Sequence, residues 1–432
     1  MRLTRKDSAT PSSATASMAT RHWQIASCCI ARVWPSITLL MIIGWNSSCL
    51  PRSNARKAPA MIVDSHAYCF EPADSPAGFA TAEDHIKWVQ YGQATHHQPA
   101  FRIGDRKIGP SDVVAPAGST PLGDLPDVNF RINHPRGRVV WDWEGDEYTK
   151  HFYPPNLRSC EFTPFSLTGE MDYAGVDWAL LHTNPMLGRG SAYLRDCVER
   201  FPERLKAMAP VDEWRLLEDT DTVIAEVVHA IEVDGLHAIK FNPLHYLVGD
   251  EPWDDGAFRP FWEAVTGLGV PLFFTLSTGS AFGRGYVSDA QQQQGYLGEL
   301  RILNRFMERY PDTTCSITHG FPWRLFVGDD RIVLPDEIWE PFANPRLSLE
   351  VCFPVRLGDW FDYPYVQVWP TLEQMVERVG ADRLLWGTDM PFQNRFCTYQ
   401  QSRAWIENYC DFLSTEDLGL IMGGTAARIL GL

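Results

Sequence analysis

The sequence predicts an α/β fold, a (β/α)8 TIM-type barrel with a long loop-rich insertion after its first strand. Three observations carry this. Eight short apolar runs follow one another from Met61 to the C-terminus. Segments with helical apolar spacing separate most of them, as repeated right-handed βαβ units require. No G-x-G-x-x-G follows the first run, which weakens the alternative of an open doubly wound sheet.

The first strand is read at Met61-Ile62-Val63-Asp64. From Glu71 to about Phe165 the chain becomes irregular and rich in Pro, Gly, Asp, Trp and His. Loops of that length are functional or hide small elements, and this one reads as a cap over the first strand. Regular alternation then begins, with a strand from Val176 to His182 and a helix from Ser191 to Phe201. A strand from Ala207 to Val211 leads to a helix from Asp219 to Asp234, and a strand from Leu236 to Phe241 to a helix from Phe258 to Leu268. The strand Val270 to Leu276 precedes a helix from Tyr296 to Tyr310. Strands at Thr314 to Thr318 and Leu347 to Val351 come next, then a helix from Leu372 to Val379 and the strand Arg383 to Thr388. Helices near Gln400 to Phe412 and Thr415 to Leu430 close the chain. Gln291 to Gln294 reads as loop, and Gly423-Gly424 as a helix-breaking turn.

A chain of 432 residues, 45% of them hydrophobic, can bury a large core in one domain. The expected domain is 61–432, with 71–165 as its cap-like insertion. Residues 1–60 differ from the rest. They hold eight Lys/Arg against a single acid, Asp7, and an apolar patch from Val33 to Trp45 broken by Pro35. The patch starts too far in for a secretory signal and is too short to span a bilayer. The expectation is therefore an N-terminal extension that is disordered or untranslated, with Met61 as the start. The Asn46-Ser47-Ser48 acceptor triplet reads as chance.

The net charge of −16 argues against a nucleic-acid partner. Ten cysteines include no C-x-x-C pair, and Cys315 and Cys352 lie in apolar runs as core thiols. A reducing, cytoplasmic setting is expected, with no membrane partner.

In a barrel the C-terminal strand ends carry the chemistry. Those ends offer His66 and Tyr68, His182 and Asn184, Asp212, Lys240 and Asn242, Thr275 and Ser277, His319, Glu350 and Asp389. His66, His319 and Asp389 form the sharpest set. An imidazole and a carboxylate, His66 and Asp389, can hold a divalent metal ion while His319 orients its water. Equally, Asp389 can act as base on a water with both imidazoles polarising a carbonyl. Glu350 is a further strand-end candidate. Lys240 has three open roles: a modified metal bridge, a contact to a substrate carboxylate, or an ion-pair partner. Arg131, Arg136 and Arg138, with Trp141 and Trp143, could grip an anionic aromatic substrate or form a solvated turn. His96, His97 and His134 read as polar surface.

These residues resemble the amidohydrolase superfamily, in the branch of aminocarboxymuconate-semialdehyde decarboxylase and related aromatic-acid decarboxylases and lactonases. The resemblance runs from about Met61 to the C-terminus. It is carried by Ile62-Val63-Asp64-Ser65-His66, Met171 to Asp177, Phe201-Pro202-Glu203-Arg204 before Ala209-Pro210-Val211-Asp212, and Gly235 to Phe241. Thr318-His319-Gly320 and Trp386-Gly387-Thr388-Asp389-Met390-Pro391 complete it. The resemblance implies that His319 assists a metal-bound water and that Asp389 is the last-strand aspartate. Two departures matter: the family's His-x-His is His66-Ala67-Tyr68 here, and Thr275 stands where strand 5 usually brings a histidine. Neutral hydroxyls suit zinc poorly and harder ions such as Mn²⁺ or Mg²⁺ better.

The expected function is hydrolysis or non-oxidative decarboxylation of a small carboxylated cyclic or aromatic compound. Asp389, His319 and His66 are the catalytic set, and Lys240, Asn242, Tyr68 and Thr275 the substrate contacts. One divalent ion (Mn²⁺, Mg²⁺ or Zn²⁺) or none assists. The alternatives are a metal-independent lactonase with Asp389 as base and a barrel that binds its ligand without turnover. The resemblance also implies a homodimer.

Overall fold

The computed structural model describes residues 59–155, 157–246, 251–277, 288–329 and 331–432. The readings of the N-terminal extension, its apolar patch and its Asn46 triplet fall outside the described residues.

Eight parallel strands stand side by side in chain order. They are β1 (Val63–Ala67), β2 (Trp178–Leu181), β3 (Leu205–Ala209), β4 (Ala238–Phe241), β5 (Leu272–Phe274), β6 (Cys315–Ile317), β7 (Leu347–Val351) and β8 (Leu384–Trp386). The ring closes just past β8, where Ala67 bridges Met390 in parallel. There the Asp389 N–H donates to the His66 carbonyl at 2.7 Å, and the Tyr68 N–H to the Met390 carbonyl at 2.8 Å.

Nearly every strand residue is buried, which explains why these strands read as apolar runs rather than alternating ones. Val63, Leu180, Met208, Ala238, Phe273 and Leu385, one from each of six strands, form an apolar cluster of their own. Ala426 and Leu430 of the C-terminal helix join that cluster. Side chains alternate along a strand, so residues two positions on occupy the next layer toward the C-terminal face. That layer brings Ser65, His182, Lys240, Thr275 and Gly387.

Several boundaries differ from expectation. β1 extends through Ala67, which pairs with Leu181 of β2 and bridges Met390 just past β8. β3 ends at Ala209, since Pro210 has no N–H for the ladder. The helix Asp289–Arg309 begins well before Tyr296 and absorbs Gln291 to Gln294, nucleated by a Ser288–Gln291 capping box. The last helix does not break at Gly423-Gly424: Thr415–Gly419, a π segment Leu420–Gly424 and Thr425–Leu430 run on continuously. Gly423 serves close packing instead, for a Cβ there would lie 2.2 Å from the Met61 carbonyl oxygen.

The insertion is more ordered than its composition suggests. It holds a helix, Ala82–Thr95, and a five-stranded sheet. The sheet strands are Ala100–Arg102, Ile108–Gly109, Arg131–Asn133, Arg138–Trp143 and Asp146–Lys150, all pairing antiparallel. Trp141 is fully buried in this sheet, and Arg131 pairs with Asp142 and Glu147. Of the two readings left open for this segment, Arg131 and Trp141 serve a structural one, in a sheet rather than a turn. Seven cysteines among the described residues are free and buried, Cys315 and Cys352 included. No helix among the described residues is long and apolar enough to cross a membrane.

Candidate active site

The strand ends bring His66, His319 and Asp389 together as expected. Asp389 Oδ1 lies 3.4 Å from His66 Nε2 and 3.3 Å from His319 Nε2. His319 and Asp389 both adopt left-handed backbone, at φ 62° and 63°, which turns each side chain inward where its strand ends. Glu350 supports both histidines: its Oε2 accepts from the His319 backbone N–H at 2.7 Å and lies 2.8 Å from His66 Nδ1. His182 stacks on His66 with centroids 3.5 Å apart, and its Nε2 meets the Ser65 carbonyl at 2.8 Å. On the other side of His66, Nε2 lies 3.0 Å from the Tyr68 hydroxyl, which accepts from Lys240 Nζ at 3.2 Å.

Asp64, in the first-strand motif, is not part of this set. It faces Thr388, Tyr399 and the His66 N–H, and so ties the closing strand ends together.

Burial sets the electrostatics. It raises the Glu350 carboxyl to about 7, against the pull of His319. It lowers the Lys240 ammonium to about 8 and, with His319 beside it, drives His66 far below the usual histidine range. Asp389 goes the other way. Burial pushes it up, but His319, by charge and hydrogen bond, with His66 and Arg395, holds it below the usual carboxylate range.

Two donor sets meet the geometry of a cation site, His66–His319–Asp389 and His66–His182–Glu350. The first fits better. Its 3.3 and 3.4 Å edges match the roughly 3.3 Å edge of a tetrahedron with bonds of about 2.0–2.1 Å. Glu350 then takes the place of the carboxylate behind a ligating imidazole, fixing the His66 proton on Nδ1 and leaving Nε2 its lone pair.

A cavity of about 510 Å³ opens on this cluster. Tyr68, Asn242, Thr275, His319 and Asp389 line it. The Asn242 N–H donates to Glu213 at 2.6 Å, and the Thr275 hydroxyl bonds to that of Thr318 at 2.8 Å. Lys240 departs from expectation. It is inward-facing but is not among the residues lining this cavity, and it reaches the Tyr68 hydroxyl instead.

The cations on the cavity wall are Arg324, Arg356 and Arg395, which the strand-end reading missed. Arg324 is paired with Asp359, whereas Arg356 and Arg395 form no close ion pair among the described residues. Arg395 follows Asp389 within one loop, the signal available in the sequence. His96 and His97 also line the cavity rather than the outer surface, among Trp88, Phe152, Phe321 and Phe392.

Residues 168–432 match the family model described as Amidohydrolase. A gamma-resorcylate decarboxylase of Polaromonas sp. strain JS666 is 22% identical over 256 residues, 52% of this chain and 70% of the relative. A dihydroxybenzoic acid decarboxylase of Polaromonas sp. JS666, solved with manganese and 2-nitroresorcinol, is 18% identical. The alignment covers 64% of this chain and 89% of that one, with a TM-score of 0.45. A probable 2-pyrone-4,6-dicarboxylic acid hydrolase of Acinetobacter baumannii, solved with citric acid, is 16% identical over 65% of this chain and 92% of that one, at a TM-score of 0.46.

Proposed function

Because the chain belongs to the amidohydrolase family, we propose that it is an enzyme acting on a small carboxylated cyclic or aromatic compound, with non-oxidative decarboxylation as its reaction. The cavity carries this reading. His319 and Asp389 face it, aromatic rings wall it, and Arg356 and Arg395 bring guanidinium charge without a close ion pair among the described residues. Flat apolar walls suit a ring, and guanidinium groups suit an acidic substituent on it. The similarity to a gamma-resorcylate decarboxylase points the same way.

In decarboxylation the bond from ring carbon to carboxylate breaks. Carbon dioxide leaves, the electron pair stays on the ring carbon, and that carbon takes a proton. His319 is the donor, since its Nε2 lies 3.3 Å from the Asp389 carboxylate, which stabilises the charged imidazole before it gives up its proton; solvent entering the cavity restores that proton. Phe392 and Phe152 keep the ring between apolar faces. His66 and Asp389 would hold a divalent ion, with His319 within reach, and a bound ion supplies a Lewis acid for a substrate oxygen. The imidazole donors favour Mn²⁺ or Zn²⁺ over Mg²⁺.

The Asp389 carboxylate and the His319 imidazole, 3.3 Å apart on the cavity wall, also support a second reading, metal-free hydrolysis. There Asp389 takes the proton of an attacking water, and His319 gives one to the leaving oxygen.

The test measures carbon dioxide release from hydroxybenzoates and benzene dicarboxylates beside ring opening of carboxylated lactones, with and without Mn²⁺ or Zn²⁺. Carbon dioxide release that falls at least about 10²-fold in Asp389→Asn supports the proposal. Lactone opening without carbon dioxide moves the assignment to hydrolysis. Full activity in Asp389→Asn, or no turnover of either set, overturns both.

A further inference from the structure

We propose that Arg356, Arg395 and His97 form a subsite for an acidic group of the substrate that the reaction leaves untouched, and that the insertion completes it. The inference rests on reading the cavity as the substrate pocket.

All three residues line the cavity that holds His319 and Asp389. They come from three separate places: the short helix Phe353–Leu357 after β7, the 3-10 turn Phe392–Arg395 after β8, and the insertion. Arg395 is fixed in place by donating to the Phe392 and Phe152 carbonyls and by contact with His96 Nε2 at 3.2 Å. Those bonds use Nε and Nη1, and neither Arg395 nor Arg356 forms a close ion pair among the described residues, although Asp389 acts on Arg395 from a distance. Arg324 is different, being paired with Asp359, which also accepts from Gln98 of the insertion at 3.1 Å.

His97 Nε2 is buried without a hydrogen-bond partner. Burial, together with Arg356, Arg324 and Arg395, keeps this imidazole neutral. A neutral imidazole with its proton on Nε2 gains its missing partner from a carboxylate oxygen of the ligand. The position of His97 is built in. Lys150, a buried lysine of the insertion sheet, donates to the Gln93 and His96 carbonyls and holds the end of helix Ala82–Thr95 against the pocket. His97 and Lys150 lie outside residues 168–432, so this wall is additional to the part of the chain that matches the family.

The reacting group belongs beside Asp389 and His319. A second acid on the guanidinium side then stays on the product. Decarboxylation would act on a dicarboxylate, and hydrolysis on a carboxylated ester or lactone.

The probe pair is benzoate and the isosteric, uncharged benzamide, titrated calorimetrically against the full chain. Benzoate is expected to bind at least about tenfold tighter. That preference should shrink below about threefold in Arg395→Gln and in Arg356→Gln, and survive in Asp389→Asn and after chelation. Equal binding of the two probes overturns the subsite. So does a preference that vanishes in Asp389→Asn or on chelation yet persists in both arginine variants, because the carboxylate then sits at the reacting centre. His97→Phe, judged beside its own thermal melt, must also weaken benzoate more than benzamide. None of these outcomes depends on turnover, so the reaction assignment fails or stands separately.

Discussion

His66 Nδ1 lies 2.8 Å from Glu350 Oε2, and neither side chain is exposed to solvent. This pair orders the protons around it. Lys240 donates to the Tyr68 oxygen, Tyr68 can donate to His66 Nε2, and His66 donates through Nδ1 to Glu350. The same Glu350 oxygen takes the His319 N–H, so one carboxylate sets the position of both histidines.

Glu350→Gln keeps the shape and removes the charge. One neutral amide oxygen must then serve the two donors that the carboxylate held, and the amide NH₂ is left with the Ser65 hydroxyl, 3.4 Å from the present Oε1. Loss of an outer carboxylate of this kind costs about 10–100-fold in metal affinity or activity. Metal titration and turnover of the variant check this. Unchanged values would remove Glu350 from the site.

Gly320 is the next position to test. Its φ is +74°, and a Cβ there would lie 2.3 Å from Trp323 and 3.0 Å from the Glu350 carbonyl oxygen. Trp323 also donates to the His319 carbonyl at 2.9 Å, so displacing the indole drags the histidine. Gly320→Ala should cost at least about 2 kcal/mol and reduce turnover more than that loss explains. Gly298→Ala, in the middle of the helix Asp289–Arg309 with nothing within 4 Å of the new Cβ, should instead stabilise by about 0.5–1 kcal/mol. Paired melting curves read both signs.

The barrel was legible because parallel strands buried on both faces leave long apolar runs, and because a strand end marks the rim. That rule found His66, His319 and Asp389. It misplaced Lys240, which faces inward but reaches Tyr68 rather than the cavity. It passed over Arg356, Arg395 and His97, which lie beyond the strand ends, on the short helix after β7, the 3-10 turn after β8 and the segment that follows helix Ala82–Thr95. The insertion sheet was hidden for a different reason. Its strands are short, and the hairpin at Glu144-Gly145, at φ 50° and 83°, carries only one glycine as its signal.

Lys150 gives a prediction with a definite sign. Burial lowers its ammonium from 10.5 to about 8. Below the lower value the lysine is charged in both the folded and the unfolded chain. Between the two, the unfolded chain binds more protons, so this group adds stability as pH rises. Lys150→Met lacks that titration and loses the two carbonyl contacts. The melting-temperature advantage of the natural chain over Lys150→Met should therefore widen from pH 8 toward 10.5. An advantage that stays flat or narrows would mean that Lys150 is not buried as a charge.

Tyr68 is placed to affect how the site would treat a metal ion. Its hydroxyl lies 3.0 Å from His66 Nε2, and burial keeps the phenol protonated far above its usual range. The proton it offers points at the lone pair that a cation would use. A neutral phenol is a poor ligand for a borderline ion, so Tyr68 acts as a competitor for His66 rather than as a donor to the metal. Tyr68→Phe removes the competing proton and leaves Nε2 facing Asp389 Oδ1 at 3.4 Å. Mn²⁺ and Zn²⁺ should then bind several-fold tighter, about 1 kcal/mol or less for one neutral hydrogen bond. Calorimetric titration of both ions into the natural chain and the variant measures this. Weaker binding in Tyr68→Phe would reverse the assignment and make the phenol oxygen a ligand in its own right.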